Sequence, residues 1–450
     1  MAVWSEVNLC ACRDANRLDA EHYQPHYLTY ADAVSQGQSL RSITSIIHPT
    51  EITRVYESDG IQILLAQNIR HNYLDFSATV YMPNSAKQPL ARNRLEYDDV
   101  VMTRSGANFG DAAAYKGKPT EIYACADCLI LRPRGVLGGY LATYLNTSIG
   151  RALLTRGAYG MAQPHIAPNY LYTMHLPRLG EAVERQVDEL VLTGYALQER
   201  SETLYAQAEA MLAKELGLDA IDLSHQLAYE RDFREVQEAG RLDAEYWGPK
   251  YVHNAELLKS MPHDSLGRIA SFSNGATPLG ADYPSNGIPF LRIQNVCKNY
   301  LELDDVVHIS QQIHEGHLKR SQLEPGDVLI TITGRIGTAA VVPDDLPKAN
   351  MNQHSVRLRV RDASINPYYL SAFLNSRAGL RQTERESYGS TRDALPYYCL
   401  KRVIIPRASR QLQDSIEASV RKADEARKEA KLVLDDAKRR VEELIENTPR

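Results

Sequence analysis

The sequence predicts an α+β chain: two mixed α/β domains separated by two long helices that form an antiparallel coiled coil. Three observations carry this. The chain is a tandem duplication, each copy alternates short apolar runs with turn signals, and each copy ends in a stretch of heptad spacing.

The duplication comes first. RLDAEHYQPHY at 17–27 recurs as RLDAEYWGPKY at 241–251, 224 residues later. GIQILLAQNIR (60–70) and GIPFLRIQNVC (287–297) are 227 apart, and LEYDDVVMTRSGANFGDAAAY (95–115) and LEPGDVLITITGRIGTAAVV (323–342) are 228 apart. YLATYLNTSIGRALLTRGAYG (140–160) matches YLSAFLNSRAGLRQTERESYG (369–389), and PHIAPNYLYTMHLPR (164–178) matches DALPYYCLKRVIIPR (393–407), both at 229. Matched blocks in one order at a nearly constant offset mean a unit of about 225 residues present twice. Between the blocks the copies diverge: SITSIIHPTEITRVYES has little in common with IASFSNGATPLGADYPS.

The boundaries follow: a first domain at 1–179, a central helical spacer and linker at 180–239, a second domain at 240–407 and a C-terminal helical spacer at 408–450. Strands are predicted at 61–65, 100–103, 328–333 and 355–360, the last alternating as SVRLRV. Helices are predicted at 139–154 and 367–385, with Asn366 capping the second ahead of a proline at its first position. In the first spacer Val183, Leu190, Leu197, Leu204 and Met211 fall at strict sevens, with Val187, Gly194, Ser201 and Ala208 as a weaker companion seam. Gly217 is expected to stop that helix. In the second spacer the pattern is Ile416, Ala423, Ala430, Ala437 and Leu444, with Val420, Leu434 and Val441 alongside. The spacing predicts a coiled-coil seam rather than a helix lying on a globular core, and antiparallel pairing is the simplest packing.

Composition is that of a soluble protein: 44% hydrophobic and 24% charged over 450 residues. No apolar run approaches the roughly 18–20 residues of a membrane helix, and the start lacks the basic-then-apolar pattern of a signal peptide, so the cytoplasm is expected. The net charge of −5 is concentrated: residues 180–239 hold 14 acidic and 5 basic residues, which leaves the two domains neutral to mildly basic. That permits nucleic-acid binding without demonstrating it. Cys10-x-Cys12 and Cys125-x2-Cys128 have the spacing for four thiolates on one zinc, but the strand-like run YACADCLILRP favours packing for the second pair, and no metal is expected.

Catalytic motifs are missing. Gly106–Gly110 and Gly334–Gly337 are glycine pairs without the lysine of a phosphate loop, and a tight hairpin fits them better. No glycine-rich S-adenosylmethionine loop sits in a βαβ setting. Asn366-Pro-Tyr-Tyr369 is short of the second proline of a base-holding methyltransferase tetrapeptide, and its counterpart is Leu137-Gly-Gly-Tyr140. Pro343-Asp344 is not followed by an Asp/Glu-x-Lys partner, and His22, His26, His165 and His354 have no metal-ligand spacing.

Along its whole length the chain resembles the specificity (S) subunits of Type I restriction–modification systems. The residues that carry the likeness are SNGATPLGADYPSNGIPFLRIQNV (273–296), LEPGDVLITITGRIGTAAVV (323–342), MNQHSVRLRV (351–360) and ESYGSTRDALPYYCLKRVIIPR (386–407). The first copy departs from this pattern: Tyr97-Asp98-Asp99 replaces Pro-Gly-Asp, and GAYGMAQPHIAPNYLYTMHLPR lacks the Ser-Thr-Arg of 390–392. The resemblance implies two target-recognition domains, each reading half of a bipartite site in double-stranded DNA, with the helices setting the gap. It implies that the helices dock two methyltransferase subunits that bind S-adenosylmethionine and methylate adenine, and that motor-nuclease subunits use ATP and magnesium to cleave unmethylated DNA in phage defence. This chain would then be non-catalytic and carry no cofactor.

Candidate readers are polar residues on loops beside the turns: Arg292, Gln294, Asn295, Thr333, Arg335, Gln353 and His354 in the second domain, with Ser390 and Arg392 beyond them. The first-domain candidates are Gln67, Asn68, Arg70, Arg104, Asn108 and Gln163. Arginine on guanine and asparagine or glutamine on adenine are the bidentate pairings that read a base. Three other readings stay open: a scaffold that reads no sequence or an anti-restriction relative, the S subunit of a related fused methyltransferase–nuclease system, and an enzyme with modification or cleavage on this chain.

Overall fold

The computed structural model describes residues 4–76, 79–106, 108–160, 164–218, 228–278, 280, 283–346, 348–388 and 394–447. The chain divides into two compact units, Met1–Glu199 with Arg427–Arg450, and Arg200–Ala426.

The first unit is built on a four-stranded antiparallel sheet in the order Thr44–Ile47, Cys128–Pro133, Val100–Thr103, Ala112–Ala114. A three-stranded sheet has Ile61–Leu64 in its centre, antiparallel to Val80–Met82 and parallel to Ile122–Ala124. Ladders of two strands complete the unit: Ile69–Arg70 with Tyr73–Leu74, and Gln38–Ser39 with His175–Leu176. The second unit repeats every one of these sheets: Ala270–Asn274, Ser355–Val360, Val328–Thr331 and Ala339–Val341 form the four-stranded one. Ile288–Leu291 lies between Val307–Ile309 and Asn350–Met351 in the three-stranded one.

The glycine pairs are hairpin turns, as expected. Gly106 and Gly110 (φ +97° and +78°), and Gly334 and Gly337 (φ +63° and +84°), reverse the chain between sheet neighbours. The buried Cys125 and Cys128 lead into a core strand. Among the described residues no group of three or more His, Cys, Asp or Glu is placed to hold a metal, and no helix is long and apolar enough to cross a membrane.

Each helix predicted in the domains is two helices. Gly138–Asn146 is followed by Ser148–Arg156, and Pro367–Asn375 by Arg377–Glu386. Thr147 and Ser376 break the run: each has extended backbone, and its hydroxyl accepts from the amide of Gly150 or Gly379. Those glycines are required, because a Cβ there would stand 2.1 Å from Tyr144 O or 2.2 Å from Phe373 O. Asn366 caps as predicted, its side chain accepting from Tyr368 N.

The copies agree down to single hydrogen bonds. Asp99 Oδ1 and Oδ2 each accept from Arg132 at 2.9 Å, and Asp327 does the same for Arg359 at 2.7 and 2.8 Å. Asn72 and Asn299 both have positive φ (56° and 68°), and their side-chain oxygens accept from Asn146 and Asn375. The Tyr140 hydroxyl donates to Pro177 O, and the Tyr369 hydroxyl to Pro406 O. The first copy's departure at Asp98 has a physical reason. Asp98 takes the positive φ (72°) that Gly326 has (84°), and its carboxylate accepts from Gly138 N and Lys116 Nζ.

The long helices are Glu181–Glu215 and Arg410–Glu446, with Gly217 at φ +60° just beyond the first. In the first unit residues 181–199 pack beside 427–446, and in the second 200–215 pack beside 410–426, which is antiparallel pairing. The seam differs from the heptad expectation. Val187, Gly194, Ser201 and Ala208, the companion seam, are the buried residues, and Val183, Leu190, Leu197, Leu204 and Met211 are half-buried. Small residues occupy the closest approach because larger ones do not fit: the Ser201 hydroxyl donates to Ala423 O at 2.8 Å. On the second helix Ile416, Val420, Ala423, Ala430, Ala437 and Val441 are buried and Leu434 is half-buried, but Leu444 is 40% exposed and Ile445 is buried in its place.

The reason is that these helices also lie on the domain cores, contrary to the expectation of a seam alone. Val187, Ala437, Val441 and Ile445 belong to the first core, and Ala208, Leu212, Leu216, Ile416 and Val420 to the second. A face turned toward a domain follows the 3.6-residue period and drifts off a strict seven. Polar residues on that face went unread in the sequence: Asp188 accepts from Lys116 Nζ and Gly139 N, and Tyr195 donates to Ala114 O. Burial works against the Lys116 charge, but its hydrogen bonds to Asp188 and Asp98 outweigh that and raise its pKa.

Candidate nucleic-acid interface

At one end of each four-stranded sheet the hairpin turn, the start of a neighbouring strand and the base of a loop meet in the same way. The Thr103 hydroxyl donates to Asn108 O, and the Thr331 hydroxyl to Arg335 O. Arg104 N donates to Asp127 O and Ile332 N to His354 O. The loop base is tied on by matching bridges: Ser105 with His165 and Tyr159 with His165, Thr333 with Ala394 and Tyr388 with Ala394. These bonds fix which positions correspond. Arg104 corresponds to Ile332, Ser105 to Thr333, Asn108 to Arg335, and Asp127 to His354.

The backbone is therefore common and the side chains differ. In the second unit Thr333 Oγ1 lies 2.9 Å from His354 Nδ1, and His354 Nε2 lies 3.2 Å from Gln353 Nε2. The exposed Gln353 also meets the Thr277 hydroxyl. A second group gathers around Asp305, which accepts from Arg292 at 3.1 Å and Gln294 at 2.7 Å. Arg335 is exposed and bridges toward this group through long contacts to Gln294 O (3.5 Å) and Val296 O (3.4 Å).

In the first unit the same rim carries ions. Arg54 pairs with Asp127 at 2.8 Å, and Arg104 Nη1 lies 2.9 Å from His48 Nε2. An arginine can only donate, so His48 Nε2 accepts and the ring is neutral. Burial, and then the Arg104 charge, push His48 below its ordinary pKa, in keeping with that role. Gln67 and Arg70 are exposed nearby in sequence, and Asn108 is half-buried.

Two candidates are corrected. Asn68 and Asn295 are each 1% exposed and turned inward. Asn68 Oδ1 accepts from Leu65 N, Asn295 Oδ1 accepts from Arg292 N, and Asn295 Nδ2 donates to Glu302 O. Each closes its own loop, an asparagine habit that competes with any reading role. Gln163, Ser390 and Arg392 lie outside the described residues. His48, Arg54 and Asp127 were missed because their blocks fall where the copies diverge, so the repeat gave no signal there.

No protein-family model and no curated protein matches the sequence. Among solved structures, the Type I restriction–modification S subunit from M. genitalium superposes with a TM-score of 0.40 at 13% identity, over 91% of this chain and 94% of that one. The chain is similar to Type I S subunits. The S subunit from Thermoanaerobacter tengcongensis gives 0.29 at 15% identity, over 91% of this chain and 94% of that one. A chain from work on complex assembly and conformational transition of the type I system gives 0.30 at 14%, over 91% and 97%.

Proposed function

We propose that this chain is the sequence-specific DNA-binding specificity subunit of a Type I restriction–modification complex. One observation carries the reading: the two units repeat one hydrogen-bonded frame and present different side chains at corresponding rim positions. A scaffold has no need of two unlike surfaces on one frame. A reader of two unlike half-sites needs that arrangement.

In this reading each unit takes one half of a bipartite duplex site. Phosphate contacts set position and salt-dependent affinity, and side chains such as Arg335 and Gln353, or Arg104 and Asn108, reach base edges. The long helices dock two methyltransferase subunits, and restriction–motor subunits join the complex. Adenine methylation, with S-adenosylmethionine, and ATP- and magnesium-dependent cleavage belong to those partners, and this chain is the non-catalytic member, acting in the cytoplasm.

Co-expression with a partner methyltransferase, followed by genome-wide mapping of methylated adenine, tests it. One bipartite motif, with both halves required, is the expected result. Methylation scattered without a motif, or a motif in one piece, would sink the reading.

A further inference from the structure

Most of the rim changes between the copies, but two exposed pairs do not: Gln67 with Gln294, and Tyr159 with Tyr388. Tyr159 and Tyr388 occupy corresponding positions, and they are 46% and 59% exposed. Each sits on the base of its loop and is held there by two backbone hydrogen bonds. Tyr159 N donates to His165 O at 3.0 Å and His165 N to Tyr159 O at 2.9 Å; Tyr388 and Ala394 exchange the same pair at 3.0 Å each. The base is in turn fixed to the sheet, because Ile166 N donates to Arg104 O and Leu395 N to Ile332 O. Neither tyrosine hydroxyl has a hydrogen-bond partner among the described residues.

A single exposed aromatic ring is ordinary on a protein surface; what sets these two apart is that the same ring recurs at matching positions of both units. Around them other side chains change in chemistry: Arg104 against Ile332, Asn108 against Arg335, Asp127 against His354. A residue that reads a base should vary with the half-site it reads. A residue that stays the same beside two different readers makes a contact common to both half-sites.

We propose, resting on the DNA-reading function above, that Tyr159 and Tyr388 are paired positioning residues. Each ring packs on the deoxyribose of its half-site's backbone and seats the adjacent readers without reading sequence itself. The chemistry fits: every nucleotide of a duplex offers a deoxyribose edge while its base faces stay stacked, and a contact to sugar carries no sequence information. The rigid hairpin base lets the ring be presented with little loss of conformational freedom on binding.

The test uses the full-length chain and a random duplex library, from which bound sequences are selected and then measured individually by fluorescence polarisation over a range of salt. Tyr388→Ala and Tyr159→Ala are expected to weaken binding about tenfold each, the loss of part of an aromatic side chain's buried area, with the selected bases and the salt slope unchanged, because no charge is lost. Tyr388→Phe and Tyr159→Phe should bind within about twofold of wild type, since the ring is retained. Thermal unfolding of each variant shows whether the fold is intact; the hairpin hydrogen bonds are backbone bonds, so both substitutions should leave it so.

Alanine variants that bind as tightly as wild type would overturn the proposal, as would a change of selected bases in one half-site. Equal loss in the phenylalanine variants would move the contact to the hydroxyl and overturn the ring contact. If the wild-type chain selects no bipartite sequence, the DNA-reading function fails, and the tyrosine proposal falls with it. Bipartite selection with indifferent alanine variants removes only the tyrosines.

Discussion

Gly194 on the first long helix stands so close to Leu434 on the second that a Cβ there would lie 2.6 Å from Leu434 Cδ2 and 2.7 Å from Cγ. Glycine inside a helix costs about 1 kcal/mol relative to alanine, so this position gives up helix propensity for a close approach. Gly194→Leu should overpack the seam and destabilise the first unit by about 1–3 kcal/mol. Leu434→Ala, placed on top of it, should recover part of the loss, since the two side chains compete for one space. Thermal unfolding of the two single variants and the double variant measures this. Additive losses would mean the two residues do not share that space.

The buried aspartates should behave alike in both units. Asp99 and Asp327 each hold an arginine by two hydrogen bonds and accept a third from the backbone, at Glu96 N and Glu324 N. Asp327→Asn keeps the volume but loses the charge on the fork. A hydrogen bond to a charged group is worth about 1.5–3 kcal/mol; Arg132 and Arg359 are about a third exposed, so solvent screening puts the expected loss toward the low end. Asp99→Asn should lose a similar amount. Denaturant unfolding reads both, and a loss in one unit alone would contradict the common frame.

The duplication was legible because the framework residues repeat in type as well as in place. The Asp of the turn (Asp99, Asp327) and the Tyr and Asn of the split helix (Tyr140 and Asn146, Tyr369 and Asn375) recur at nearly constant offsets. The split at Thr147 and Ser376 was not legible, since the apolar period runs on through it and only a close backbone contact at Gly150 and Gly379 forces the break. The true seam was misread for a related reason. Heptad counting favours large apolar residues, yet Gly194, Ser201 and Ala208 are the ones two helices need at closest approach. Domain-facing Asp188 and Tyr195 were invisible to a hydrophobic pattern because they bury by hydrogen bonding. At the rim, the turn residues were found from the repeat, whereas His48, Arg54 and Asp127 lie in diverged blocks.

Asn295 provides a direct test of structure against reading. Its side chain joins Arg292 N at 2.8 Å to Glu302 O at 2.9 Å. Asn295→Ala should cost about 1–3 kcal/mol by leaving those backbone groups unpaired, and the selected DNA sequence should stay as it is. A changed base preference without a loss of stability would restore Asn295 as a reader.

The His48–Arg104 contact makes the first unit sensitive to pH. The folded-state pKa of His48 lies below the usual value of about 6.5. The unfolded chain therefore binds a proton first as pH falls, so the contribution to stability is complete above about pH 6.5 and is lost as pH drops through the lower folded value. Protonation also removes the acceptor that Arg104 uses. Unfolding temperature should fall between pH 7.5 and 5.5, and His48→Gln, which keeps an acceptor without a titrating ring, should flatten that slope. An unchanged slope in the variant would assign the pH dependence to other groups.

Arg335 distinguishes the two halves of the site. It is exposed on the hairpin turn of the second unit, and its counterpart in the first unit is Asn108, a residue of different length and charge on the same backbone. A lost bidentate arginine contact costs about 1–3 kcal/mol of base discrimination. Arg335→Ala should therefore weaken or relax recognition in one half-site only, and leave the other half and the spacing between them unaltered. Its salt slope should also fall if Arg335 touches phosphate, which separates positioning from reading. Asn108→Ala should act on the opposite half. Equal damage to both halves by either substitution would contradict one domain per half-site, because the two side chains sit on different units of the same frame.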